Sequence, residues 1–403
     1  MTDRALLYVS AFIRAVAVGL SGVLLGTYLA RLGLGGGEVG LVVAAGLSGS
    51  AVAAILATLF GDRWGRRRFL IGTSVLGVVG MLLFALVEQP LALAAAAFVG
   101  MVNGMGRDRG AALILEQAAL PGTVSSEART TTIAWYTMLQ DIGHAVGALL
   151  AGLPALLSAS SLLPGVWPQR VTLLGCALSG LAALLVYTRL GPAVEPATLG
   201  KPLAISPASR RILAKISALF AIDSLAGGFL TTALLSYFFF ERFGASELAI
   251  GALFFGARVM NAASHLAAAR LARRIGLVNT MVFTHVPSSL LLMTVAFAPT
   301  FPVAAVLFLL REGLVEMDVP TRQSYVLAVV QPEERTVASG VTNLVRVAAW
   351  AVAPTFAGAL FGGELFYLPL VIGAAMKIAY DILLWNAFRG LKPPEERAAA
   401  ATQ

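Results

Sequence analysis

Acidic, basic and imidazole side chains recur inside stretches of this chain that are otherwise Leu, Ala, Val, Gly and Phe. Arg14, Arg107, Asp108, Arg109, Asp141, His144, Asp223, Arg258, His265, Arg311, Glu312, Glu316, Asp318, Arg322 and Arg346 lie well inside such stretches, and Glu116 lies nearer an end. An ionised group in hydrocarbon costs roughly 2.5–3.5 kcal/mol on insertion scales, so these residues must face a cavity or a partner. The chemistry open to them is binding charge and moving protons. A buried carboxylate or imidazole can change protonation near neutral pH, which makes Asp141, Asp223, Asp318, Glu116 and His144 the proton-coupling candidates. Arg14, Arg107, Arg109, Arg258 and Arg346, with Trp135, Tyr136, Gln140, Asn261 and Asn343, are candidates for lining a substrate cavity by charge, hydrogen bonding and stacking. His144 stands one turn from Asp141 and can share its proton; a helical histidine packed against a neighbour is the other reading.

Other chemistries lack their residues. Cys176 is the only cysteine and the chain has 3 histidines, so no disulfide framework, zinc cluster or haem attachment can be built. No Ser/His/Asp spacing and no G-x-x-x-x-G-K-[ST] loop occurs. An enzyme is not expected, nor a metal, a cofactor or direct use of ATP.

The elements that must position these charges are membrane helices. Of the 403 residues 58% are hydrophobic and 12% charged, against about 25% charged in a soluble domain. A spanning helix needs roughly 20 apolar residues, and about twelve such stretches begin near Leu6, Val39, Phe69, Leu91, Thr130, Val171, Ile212, Leu248, Leu277, Val303, Thr336 and Phe366. The first is too long for a signal-peptide core and lacks an Ala-x-Ala cleavage site, so it reads as a permanent helix. The net charge of +8 sits mostly in alternate loops: Arg63, Arg66, Arg67 and Arg68; Lys201, Arg210, Arg211 and Lys215; Arg270, Arg273 and Arg274; Arg389, Lys392 and Arg397. That alternation is the positive-inside pattern. It reports orientation in a bilayer rather than nucleic-acid binding, with both termini cytoplasmic.

A Pro-rich polar stretch around 191–208 falls near the midpoint, dividing the chain into a six-helix bundle over 1–190, a cytoplasmic linker over 191–208, a second six-helix bundle over 209–390 and a tail over 391–403. An offset of 211 superimposes Gly65 on Gly276, Gly40 on Gly251, Pro121 on Pro332 and Gly147 on Gly358. Four landmarks in one register point to a duplicated unit, as in transporters built from two like halves.

The segment Asp62-Arg63-Trp64-Gly65-Arg66-Arg67-Arg68-Phe69-Leu70 resembles the loop G-x-L-a-D-R-x-G-R-R/K-x-x-L between helices 2 and 3 of the major facilitator superfamily. Asp62, Arg63, Gly65, Arg66, Arg67 and Leu70 match, while Thr58 and Phe60 replace the leading Gly and Leu. Weaker likenesses to the drug/proton antiporters lie in Arg107–Ala112 and in Gly143–Gly147, which lacks the antiporter Gly-Pro pair. The resemblance implies an all-α fold of twelve spans in two pseudo-symmetric bundles. It also implies that Asp62 caps a helix end, that the arginines hold a cytoplasmic gate, and that helices 1, 4, 7 and 10 line a central cavity. On that symmetry Asp223 matches Arg14 in depth and Arg107 matches Asp318. This suggests state-dependent contacts between the halves that substrate or proton can break, of Arg14 with Asp223 and of Arg107 or Arg109 with Asp318 or Glu316, against the alternative that each charge is paired locally within one half.

The function this implies is secondary transport of a small organic molecule across a bacterial inner membrane by alternating access, coupled to protons and leaning to efflux by antiport. Its partners would be substrate, protons and lipid, with no nucleic acid, and the chain monomeric. Proton-coupled import of an anionic or zwitterionic metabolite, and a non-transporting receptor of the same fold, are the other readings.

Overall fold

A computed structural model describes residues 2–125, 128–161, 163–196, 206–317, 335–363 and 365–388. Regular structure there is helical throughout. The helices are α1 (Asp3–Arg31), α2 (Gly36–Trp64), α3 (Arg66–Leu86), α4 (Pro90–Gly100), α5 (Ala111–Ala119), α6 (Arg129–Leu150), α7 (Leu153–Ala159), α8 (Trp167–Tyr187), α9 (Pro207–Phe229), α10 (Thr232–Phe243), α11 (Glu247–Ile275), α12 (Leu277–Ala296), α13 (Phe301–Val315), α14 (Arg335–Phe361) and α15 (Leu368–Phe388). Nine stretches among the described residues are long and apolar enough to cross a membrane. The chain is a multi-pass membrane protein, and the expected helix starts fall within a few residues of those observed.

Local sequence explains where helices begin and stop. Thr2 accepts from the Ala5 amide at the head of α1, and Glu38 reaches back to the Gly35 amide at the head of α2 (3.0 Å), the reciprocal contact that satisfies a first-turn donor. Gly65 separates α2 from α3 at φ +93°, a conformation open to glycine and strained for other residues. Two stretches expected as single spans are broken. The fourth runs as α4 and α5 with Met101–Gly110 unwound between them, Met101 and Gly106 taking positive φ. The seventh runs as α9 and α10 with a break at Leu230 and Thr231, where the Thr231 hydroxyl caps α10 by accepting from the Leu234 amide (3.2 Å).

The helices sort into two compact units. The first takes in the chain to Gly200 with Thr231–Phe255 and Pro354–Phe366. Its helices approach through small residues, as membrane helices do when no hydrophobic drive separates them from lipid. α1 lies on α6, α8 and α10, and α2 lies on α4. At the end away from Gly65, Gly40 of α2 meets Gly358 of α14 so closely that a Cβ there would strike the Pro354 carbonyl. At the Gly65 end, Leu7, Phe69, Leu70, Leu115, Tyr136 and Tyr187 form an apolar core. Leu76, Leu86 and Leu178 remain about half exposed or more, a pattern that lipid rather than water solvates.

The second unit comprises Lys201–Leu230, Gly256–Ala353 and Tyr367–Gln403. In it α15 packs on α9 and α12, and α12 on α13, around a core that includes Leu213, Ile216, Phe220, Met281, Tyr380 and Leu384.

Candidate functional site

In the first unit, the charges converge on Glu116 of α5, which is fully buried. Its Oε1 accepts from Ser10 Oγ (2.7 Å), Tyr187 OH (2.6 Å) and Arg14 (2.8 Å), and its Oε2 accepts from Arg14 (2.9 Å) and Tyr136 OH (2.6 Å). Arg14 thus grips the carboxylate with both ends of its fork, a geometry particular to guanidinium, while its Nε donates to Asp108 Oδ2 (2.5 Å).

Asp108 belongs to the unwound segment, whose backbone groups cannot be left unpaired at membrane depth. Side chains supply the partners. Asn103 donates from Nδ2 to the Arg107 carbonyl (2.7 Å) and accepts the Met105 amide (2.8 Å). Asp108 accepts the Gly110 amide (3.1 Å), and its own amide donates to His144 Nε2 (3.0 Å). Helix α10 completes the set: the Ala233 amide donates to the Gly104 carbonyl (2.9 Å) and Thr232 Oγ1 to the Met105 carbonyl (2.8 Å). The two interrupted spans are therefore stitched together at their interruptions. Beside the unwound segment lies a cavity of about 160 Å³. Arg14, Asp108, Asn103, Ser21, Ser50 and Thr73 give it polar walls.

The second unit has its own charged centre. Asp223 on α9 accepts from Lys377 Nζ on α15 (3.0 Å), and Lys377 Nζ also meets His285 Nε2 on α12 (3.2 Å). His285 Nδ1 lies 3.0 Å from each oxygen of Asp381. All four side chains are buried. Arg346 on α14 comes within 3.9 Å of Asp223, donates to Ser224 (3.2 Å) and stacks over Trp350 at 4.6 Å. Elsewhere in this unit Glu312 pairs with Arg311 and accepts from Asn261 Nδ2 (3.0 Å), while His265 stands 4.0 Å from Glu316.

The expected positions now sort themselves. Arg14, Glu116, Tyr136 and His144 come together with Asp108, and Asp223 with Arg346. Arg14 meets Glu116 and Asp108 inside the first unit, and Asp223 meets Lys377 and Arg346 inside the second. Arg107, Arg109, Arg258 and Asn343 are half-buried, Gln140 and Asn261 are buried, and Trp135 and Asp141 are exposed on α6. His144 Nε2 accepts from the Asp108 amide, one turn from Asp141. Asp318 falls outside the described residues.

In the loop carrying Gly65, Asp62 accepts from its own neighbour Arg66 (2.7 Å). Glu195 caps α3, accepting the Arg66 and Arg67 amides at its head (2.8 and 3.1 Å), where an anion suits the exposed N–H groups. Arg66 donates to the Ala118 and Val194 carbonyls and Arg67 to that of Thr188, while Arg63 is exposed. Sequence reasoning missed Glu195, Tyr187, Ser10, His285, Lys377 and Asp381. Lys377 and Asp381 left a signal, since they stand four apart inside an otherwise apolar span.

Residues 7–354 match the family model described as Major Facilitator Superfamily. The chain belongs to the major facilitator superfamily. An uncharacterised membrane protein of Saccharomyces cerevisiae is 25% identical over 423 residues, covering 96% of this chain and 94% of that one. The crystal structure of the nucleoside transporter NupG superposes with a TM-score of 0.74 at 16% identity, covering 96% of this chain and 99% of NupG. A D-xylose–proton symporter gives 0.68 at 13% identity, covering 94% and 97%. These two likenesses concern the fold. This superfamily member is accordingly a transporter of a small molecule, embedded in the membrane.

Proposed function

We propose that this superfamily member is a proton-coupled secondary transporter of a small organic molecule working by alternating access, with antiport the direction favoured by its signature loop. The observation carrying the reading is the pair of interrupted spans flanked by buried charge. Discontinuous helices at membrane depth are where transporters bind substrates and coupling ions, and irregular backbone is tolerated there only when enclosed by protein or lining a cavity. Here the unwound Met101–Gly110 segment does both, and its cavity offers a guanidinium, a carboxylate, an amide and hydroxyls. Buried ionisable side chains in both units supply groups that protons can reach, and a structural neighbour is a proton symporter for D-xylose. We further take 1–190 and 209–390 as the two halves joined by the 191–208 linker. The arginine-rich loop is placed on the cytoplasmic face of the plasma membrane, and the chain is taken as monomeric.

Purified protein in liposomes containing the dye pyranine, with an imposed pH gradient, tests this. Nucleosides, pentoses, organic anions and amphipathic cations are offered in turn. At least one class should collapse or build the proton gradient in a protein-dependent way, and the sign gives the direction. Solute flux without proton movement would refute coupling; flux of neither kind across the panel would favour the receptor reading.

A further inference from the structure

We propose that the buried chain Asp223–Lys377–His285–Asp381 in the second unit is the proton-carrying site of the transporter, with His285 taking the proton and Lys377 yielding its place to it. This rests on the proton-coupled reading above.

Hydrogen-bond bookkeeping assigns the states. An ammonium has donors only, so the 3.2 Å contact from Lys377 Nζ to His285 Nε2 requires Nε2 to be an unprotonated acceptor. The imidazole proton is then on Nδ1, donated to Asp381 at 3.0 Å. Lys377 divides its remaining donors with Asp223 at 3.0 Å. Titratable neighbours among the described residues come from four packed helices. α9 brings Asp223, α14 brings Arg346 within 3.9 Å of it, and α15 brings Lys377, Asp381 and Tyr380, whose ring meets His285 edge-on at 6.2 Å. α13, which also packs on α12, brings Arg311 and Glu312, paired with each other. Two carboxylates against one ammonium and one guanidinium leave the neutral histidine at the centre of a balanced set.

On the histidine the proton-accepting position is the Nε2 lone pair, and Lys377 occupies it. A proton arriving at Nε2 forms an N–H bond and turns the site of acceptance into a second cation facing the ammonium, so Lys377 must withdraw toward Asp223, which it shares with Arg346. Asp381, lying against Nδ1, stabilises the imidazolium that results, as a carboxylate does for a catalytic histidine. Transfer of that proton from Nε2 to water breaks the N–H bond and frees the lone pair, to which the Lys377 ammonium returns. Proton and ammonium thus compete for one lone pair, and the outcome is felt at Asp223 on α9, the helix that breaks at Leu230. A purely structural ion pair would need two of these groups; a membrane interior that retains four, with the histidine between them, points to use.

The test is the titration of His285 itself in the full-length protein in lipid nanodiscs, labelled with 15N-histidine. Only 3 histidines are present, and the signal missing in H285Q assigns the resonance. At high pH the spectrum should show the Nδ1–H tautomer, converting to imidazolium within pH 5–9. In K377M the midpoint should rise by about one unit or more, a tenfold gain in proton affinity, because the competitor is gone. In D381N, which keeps an acceptor for Nδ1–H, it should fall. The wild-type titration needs no variant, so misfolding of one substitution does not remove the test. A His285 fixed in one state across that range, or a midpoint indifferent to Lys377, overturns the site whatever transport does. A wild type that titrates as stated yet carries solute without proton flux overturns the coupled reading instead. Proton-coupled flux undiminished in H285Q overturns the assignment of the carrier.

Discussion

Replacing Glu116 by Gln tests whether the first unit is built around a single saturated carboxylate. Glutamine keeps one carbonyl oxygen, which can retain Ser10, Tyr187 and one Arg14 nitrogen. Its amide nitrogen then faces the other Arg14 nitrogen and Tyr136 OH, which sit 2.9 and 2.6 Å from Oε2. The Tyr136 hydroxyl can rotate to accept, but the guanidinium has no acceptor to offer. At least one hydrogen bond to a charged group is lost, about 1.5–3 kcal/mol, and Arg14 keeps only Asp108 as a counter-ion. The attraction removed is about 4 kcal/mol for unit charges some 4 Å apart at an effective dielectric of about 20. With Glu116 fully buried and the Arg14 side chain 16% exposed, the expected destabilisation is about 3–5 kcal/mol, the range for breaking a buried pair from one side. Reversible unfolding in mixed micelles, followed by helical circular dichroism, measures it. Tyr136→Phe should cost about 1.5–3 kcal/mol in the wild type and clearly less beside E116Q, because the two groups share one contact. A cost below about 1 kcal/mol for E116Q, or strict additivity with Y136F, would refute the picture of one carboxylate organising α1, α5, α6 and α8.

Gly40→Val should lower thermal stability sharply and reduce any transport, since its Cβ would enter the Pro354 carbonyl. Gly37→Ala, with nothing within 4 Å of its Cβ, should leave the melting curve in place. Glu195→Ala should cost about 1 kcal/mol as the loss of a helix N-terminal acceptor, read as faster amide hydrogen exchange at Arg66 and Arg67 while the rest of α3 is unchanged.

Hydropathy located the spans well because a bilayer makes length and apolarity sufficient conditions for a helix, and the Gly65 loop followed from its position in the count. The interruptions were harder to see. Met101–Gly110 is apolar enough at its start to pass as helix; its path is decided by Asn103 bonding its own backbone and by Gly106 adopting positive φ, choices a residue average does not register. Pseudo-symmetry fixes depth along the membrane normal, whereas partners within a unit depend on which sides of the helices face one another, so Glu116 and Asp108 as the partners of Arg14 could not be read from depth alone. Glu195 caps α3 from 129 positions away, a separation that the loop motif does not span. His285 and Asp381 are 96 residues apart, a contact that no local pattern announces.

The seam between the two interrupted spans bears on how the protein is made. Gly104 and Met105 are synthesised and inserted well before Ala233 and Thr232, with 127 positions between Met105 and its partner Thr232. Until α10 reaches the bilayer, two carbonyls of the fourth span lack their final partners. A ribosome that stopped after the sixth span would leave a product whose unwound segment must find substitutes in water or in other chains. The seventh span thereby acts as a late fastener for the fourth, and severed halves of this chain should assemble properly only when both are present in the same membrane.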